Sequence, residues 1–310
     1  MANGIEITGA EWVVFGVEDF DASRRFLNTY GLTETASTSD RSLWEALDGS
    51  GVELRSITDP TLPKAVVEGS TGRLYIWGVA DEASLVAIKE ELSRDRSCEE
   101  IDGLLMSTDD DGHAVAFRVS HRHSYEAEDR KVNIAGLPNR RGLNQRVSFK
   151  DAGGPRALGH LVFWSRDPER SFAFYRDRLG FRVTDSYEDN GGIFARAKGH
   201  GDHHSIFFLQ IGPLPFQPSF QHIEFQFGDV QEVMVVGHRL HEAGFKTAFG
   251  PGRHELGSNW YWYFHTPLGA AFEVSADMDR ADDNWQPGVS PSLEAAKGWA
   301  LALAASHPPE

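Results

Sequence analysis

The chain has a single cysteine, Cys98, in 310 residues. One thiol forms no internal disulfide and excludes a cysteine-rich zinc site, which fits a reducing compartment. Basic residues are also scarce: 30 Lys and Arg stand against 46 Asp and Glu, a formal net charge of −16. This balance repels polyanions and leaves no basic stripe, so nucleic acid is not an expected partner. The cluster Arg130, Lys131, Arg140 and Arg141 is short and interrupted, and reads as a solvated linker rather than a phosphate site. No apolar run reaches the roughly 18 residues of a membrane-spanning helix. Residues 1–6 also lack the basic start and apolar run of a secretory signal. No membrane partner is expected, and the expected compartment is the cytoplasm.

What is present is an ordinary globular composition, 40% hydrophobic and 25% charged, on a chain long enough for two domains. An internal repeat organises it. Four segments share a strand-like apolar run, an acidic residue suited to capping a helix, an amphipathic helix, and then strands rich in aromatic and β-branched residues. In the third segment, Leu161–Trp164 reads as strand, Asp167-Pro168 as helix start, Phe172, Tyr175 and Leu179 as the buried helical face, and Gly180 as the left-handed closing residue. The first repeats this with Val13–Phe15, Glu18-Asp19, Phe26, Tyr30 and Gly31, and Gly31 and Gly180 lie 149 residues apart. The second runs from Leu74–Trp77 through Asp81 to a helix ending at Leu92. The fourth runs from His222–Phe225 through Asp229 to Gly244, and Asp81 and Asp229 are 148 apart.

The two halves are therefore copies, each of two modules. The expected division is an N-terminal domain over 1–125, a linker over 126–154 within the polar stretch from about Ser120 to Pro155, a second domain over 155–282, and a tail over 283–310. A short helix at Leu293–Ala304 of that tail is expected to pack on the outside.

Where duplicated halves differ, chemistry is the economical explanation. By the 149 offset His160 aligns with Glu11, beside Trp12; by the 148 offset His222 aligns with Leu74. Glu273 follows Gly269 by four residues, as Ala116 follows Gly112. Two histidines and a carboxylate form the ligand set that leaves positions open on an octahedral Fe(II). Each residue alone reads as well as a satisfied core histidine or a surface charge. Together they occupy module-equivalent strand positions, and Glu273 stands in the apolar stretch Ala270–Val274, where an unpaired carboxylate is costly.

The motifs Gly159-His160-Leu161, Gln221-His222-Ile223 and the block Gly252–Glu273 resemble the vicinal oxygen chelate superfamily. Within it the likeness is to the two-domain type I extradiol ring-cleaving dioxygenases, of the 2,3-dihydroxybiphenyl 1,2-dioxygenase and catechol 2,3-dioxygenase kind. It covers roughly residues 8–280. That branch carries a His-His pair before the second metal histidine, here His203-His204. It also carries a Gly-Arg-His motif, here ending in His254, and a tyrosine nine residues later and ten before the glutamate, here Tyr263.

The resemblance implies an α+β fold of four βαβββ modules paired into two domains, each a curved sheet around a cavity. It implies Fe(II), or Mn(II), on His160, His222 and Glu273; His204 as acid/base near O₂; and His254 and Tyr263 as hydrogen-bonding partners of a catechol-type substrate. A homo-oligomer is expected on the same ground. His203 and His204 could instead be solvated in a turn, and Tyr263 could be core. Glu224, two residues after His222, is a further pocket or supporting candidate, or a satisfied polar residue. The stretch Ser205–Gln221 is longer than in typical relatives, which leaves substrate identity open. The alternatives are another metal-dependent member of the superfamily, such as a glyoxalase-type isomerase or a 2-oxoacid-dependent dioxygenase, and a non-enzymatic small-molecule-binding protein.

Overall fold

The computed structural model describes residues 4–127, 131–138, 140–147, 152–199, 201–210, 218–291 and 298–301. The first half forms one eight-stranded sheet from β1 (Ile7–Val17), β2 (Thr33–Ser37), β3 (Arg41–Glu45), β4 (Gly51–Ser56), β5 (Thr71–Val79), β6 (Glu99–Ile101), β7 (Leu104–Thr108) and β8 (Ala114–Val119). Helices α1 (Phe20–Tyr30) and α2 (Glu82–Leu92) follow β1 and β5. The strand order β2-β3-β4-β1-β5-β8-β7-β6 places two βαβββ modules side by side, joined by the antiparallel β1/β5 pair.

The second half repeats this order with β9 (Ala157–Trp164), β10 (Arg182–Tyr187), β11 (Gly192–Arg196), β13 (Ile206–Leu209), β14 (Ser219–Gln226), β15 (Thr247–Arg253), β16 (Trp260–Phe264) and β17 (Ala271–Ala276), while the two-residue β12 (Gly201–Asp202) stands outside that sheet. Helices α3 (Pro168–Ala173) and α4 (Val230–Glu242) follow β9 and β14. The expected four-module α+β architecture is thus present.

All four helices start on the anticipated acid. The carboxylates of Asp19, Asp81, Asp167 and Asp229 accept from the backbone N–H three residues on, at 2.8–3.2 Å. Gly31 and Gly180 close the first and third helices at φ 111° and 80°, a left-handed backbone that a Cβ would oppose.

The third helix departs from the simple periodic reading. After α3 it widens into a π turn over Phe174–Arg178, so twelve residues separate Asp167 from Gly180 where eleven separate Asp19 from Gly31. The extra residue is absorbed without moving either end, and Phe172, Phe174, Tyr175 and Leu179 are all buried.

That single insertion corrects the alignment of the halves. Ile76 pairs with Trp12 across β1/β5, as Glu224 pairs with His160 across β9/β14. Along the strands the offset is therefore 148, and the counterpart of His160 is Trp12, not Glu11. Ala116 pairs with Ile76 as Glu273 pairs with Glu224, so the Ala116–Glu273 equivalence holds.

The helix faces of the two halves share one core. Phe15, Phe26 and Tyr30 pack against Phe220, Phe225 and Phe272, while Trp77 meets Tyr175 and Phe181. Burying large aromatics in this way contributes about 1.5–3 kcal/mol per side chain before entropy is counted.

The tail differs from the expectation of an outer helix. Residues 293–297 and 302–304 of the expected helix lie outside the described residues. Just before the tail, β18 (Arg280–Ala281) pairs with β12 as a separate two-stranded sheet, and the described parts of the tail extend the second sheet at both edges: β19 (Gly288–Ser290) joins β10 and β20 (Trp299–Ala300) joins β15. Among the described residues, no helix is long and apolar enough to cross a membrane.

Candidate active site and metal centre

The central antiparallel strands β9 and β14 and the neighbouring β17 turn His160, His222 and Glu273 toward one point. His160 Nε2 and His222 Nε2 are 3.0 Å apart, and Glu273 Oε2 lies 3.2 Å from each. All three side chains are buried. Three electron-pair donors in this triangle repel unless something positive stands between them. Donors at right angles around a divalent ion, each about 2.1 Å from it, stand about 3.0 Å apart. The observed spacing meets that condition, and Glu273 Oε2 makes no hydrogen bond of acceptable angle. The residues fit a mononuclear metal with one face open. Burial alone would raise the Glu273 carboxyl, but the two imidazoles outweigh it and hold it well below the ordinary range.

The open face looks into a cavity of about 310 Å³. One wall is apolar, with Phe194 and Phe207 stacked at 3.8 Å and Tyr187 and Leu209 beside them. Of the remaining sequence candidates, His204, His254 and Tyr263 all line the same cavity. The His204 ring lies 4.2 Å from that of His160 and is buried; burial, then the neighbouring histidines, pushes its pKa well down. His254 Nε2, in the turn after β15, and Tyr263 Oη, on β16, are 2.9 Å apart. Burial lowers His254 to about 4 and raises Tyr263 well above its usual value, with the Glu273 charge adding to the latter.

The sequence model of the Glyoxalase/Bleomycin resistance protein/Dioxygenase superfamily matches residues 157–274. Residues 157–274 are thus similar to that superfamily. Over 283 residues the chain is 26% identical to Metapyrocatechase 2 of Cupriavidus necator, covering 88% of this chain and 82% of the relative. An iron-dependent extradiol dioxygenase of Rhodococcus jostii is 24% identical over 285 residues, covering 86% of this chain and 87% of that one. Among solved structures, an Mn(II)-bound glyoxalase from Novosphingobium aromaticivorans superposes with a TM-score of 0.74 at 23% identity, covering 95% of this chain and 91% of that one. This last likeness establishes the fold.

The same region also holds supporting partners, of which Glu224 alone was singled out from the sequence. Each candidate ligand has a group behind it. Asn259, buried in the turn before β16, donates from Nδ2 to Glu273 Oε1 at 3.0 Å and to Ser275 Oγ at 3.0 Å. Gln221 Oε1 meets His222 Nδ1. Glu224 is fully buried behind His160 rather than in the cavity, with Oε2 3.5 Å from His160 Nδ1. Its carboxylate occupies the space a Cβ at position 159 would need, so Gly159 is a requirement of this arrangement. Burial and the Glu273 charge raise Glu224 well above the carboxylate range.

The N-terminal half contributes too: Tyr30 Oη donates to the Glu273 backbone carbonyl at 2.5 Å. Gln221 and Glu224 were visible as polar residues beside His222. Asn259 and Tyr30 carry no local signal, because tertiary crossing alone brings them to Glu273. His203 is wholly buried, which removes the solvated-turn reading.

Proposed function

We propose that the chain is an extradiol dioxygenase that opens a catechol-type ring beside its two hydroxyls, adding both atoms of O₂. In this reading His160, His222 and Glu273 hold Fe(II), and Mn(II) suits the same donors. The observation that carries it is the convergence on one cavity of a facial two-histidine, one-carboxylate set with His204, His254 and Tyr263. Similarity to Metapyrocatechase 2 and to the iron-dependent extradiol dioxygenase over most of the chain supports it.

The metal, when bound, supplies Lewis acidity and an electronic path between ring and O₂. The protein supplies the rest. His254 and Tyr263, already hydrogen-bonded to each other, hold the substrate oxygens and fix the ring in the cavity. Phe194, Phe207 and Leu209 bury the ring and exclude water. His204 moves a proton beside the oxygen chemistry and steadies developing negative charge. Residues 1–125 form a non-catalytic domain in this reading, 126–154 a linker, 155–282 the catalytic domain and 283–310 a tail. The enzyme works in the cytoplasm as a homo-oligomer, which light scattering would check.

The test is a panel of mono- and bicyclic catechols offered to protein loaded anaerobically with Fe(II), followed by admission of air. A yellow ring-opened product from at least one catechol is expected. No product from any of them, with one Fe(II) per chain bound, would sink the proposal.

A further inference from the structure

His204 is the innermost member of a buried hydrogen-bonded chain. Its Nδ1 lies 3.0 Å from His203 Nδ1, and His203 Nε2 lies 2.7 Å from Asp185 Oδ2. Asp185 Oδ1 accepts from the Gly288 backbone N–H at 2.6 Å. The three side chains are 6% (Asp185), 0% (His203) and 4% (His204) exposed, so water does not compete for these contacts. The tail holds the outer end: the Trp285 ring packs edge-on against His203 at 5.5 Å, and Trp285 Nε1 donates to the Thr184 carbonyl at 3.0 Å.

We infer that Asp185 and His203 are positioning residues that set the tautomer of His204, so that it presents an unprotonated Nε2 to the cavity. The inference rests on the role proposed for His204. Its logic is donor and acceptor counting. An ionised carboxylate only accepts, so His203 must carry its proton on Nε2. The Nδ1 of neutral His203 is then a lone pair, and the facing Nδ1 of His204 must be the donor. A neutral imidazole with its proton on Nδ1 has an acceptor at Nε2. A proton taken up there makes His204 a cation, and the charge is relieved along the chain toward the Asp185 carboxylate.

Asp185→Asn is the decisive variant because Gly288 N–H fixes how the amide sits. The amide oxygen must accept from Gly288, which turns the amide NH₂ toward His203 Nε2. His203 would then donate from Nδ1 to His204, and His204 would face the cavity with Nε2–H. A comparable carboxylate-to-amide change behind a catalytic histidine acts by imposing the wrong tautomer.

The experiment uses the full chain labelled with ¹⁵N at histidine and loaded with Zn(II). Ring-nitrogen shifts report the tautomer, and the His204 signal is identified as the one lost in His204→Phe. In the unsubstituted protein His204 is expected as the Nδ1–H form, and in Asp185→Asn as the Nε2–H form. With Fe(II), the variant is expected to keep its metal and its anaerobic catechol affinity within twofold, while kcat falls about 10²-fold. An Nε2–H form in the unsubstituted protein would overturn the inference even if the variant failed to fold. So would a variant with unchanged tautomer and turnover. If no catechol is opened by either protein, the ring-cleavage reading fails and the nitrogen shifts alone decide this one.

Discussion

The concave faces of the two sheets are built on one plan and finished differently. In the second half, His160, His222 and Glu273 leave a cavity. In the first, their counterparts Trp12, Leu74 and Ala116 pack with Val14, Leu62, Ile76 and Ala114 into one apolar cluster that fills the same place. The sheet itself therefore does not make a site. At three strand positions the second half has metal-type donors where the first half has apolar side chains. Glu11, the carboxylate beside Trp12 in the first half, is buried away from that cluster. It accepts from Arg118 Nε at 2.7 Å, from His121 N at 3.1 Å and from Ser120 Oγ.

This contrast can be broken at either end. The largest effect is expected from His160→Ala, His222→Ala or Glu273→Ala, each of which should abolish stoichiometric metal in folded protein. Full occupancy in all three by elemental analysis would mean the triangle of donors is not the site. Next comes His204→Phe, which keeps a ring and should keep the metal and anaerobic catechol binding, while ring opening slows by about 10²–10⁴-fold. Loss of metal would make His204 a ligand.

In the first half, if it is non-catalytic as proposed, the effects should fall on stability alone. Trp12→Ala empties a nearly buried site and should cost about 3–5 kcal/mol in urea unfolding, with metal content unchanged. Glu11→Ala strands the Arg118 guanidinium and should cost about 1–3 kcal/mol. Metal loss in a folded Glu11→Ala protein would contradict the single-site reading. The smallest effect sharpens how the halves cooperate: Tyr30→Phe removes one hydrogen bond to the Glu273 carbonyl and should lower stability by about 1 kcal/mol. A stability equal to that of the parent would show that this contact contributes nothing.

The module order and the helix starts were readable because they rest on local chemistry. An aspartate that caps, a glycine that closes and an apolar periodicity each act within one turn. The candidate ligands were readable because duplication provides an internal reference. The reference failed by one residue at His160, since the 149 spacing between Gly31 and Gly180 contains the residue that the π turn absorbs. Comparing helix ends carried that insertion into the strands, where it does not belong. Asp185, Asn259 and the contact of Tyr30 with Glu273 had no sequence signal for a different reason. Each reaches its partner across 14 to 243 positions of sequence, and no pattern in the chain encodes that distance. Within the expected tail helix the described residues 298–301 include a strand instead, because the open backbone of β15 offers pairing to Trp299 and Ala300, whereas alanine and leucine favour a helix in isolation.

The tail strands have one more consequence, for behaviour at high concentration. A sheet ends in a row of unpaired N–H and C=O groups that invites another chain to continue it. Here β19 and β20 cap the larger sheet with three and two residues, too few to template a neighbour. The smaller sheet ends in the five-residue, largely exposed β2 and the three-residue β6, which carries Glu99 and Glu100. Short and charged rims resist fibrous stacking, so copies of this chain that associate must do so through faces and loops.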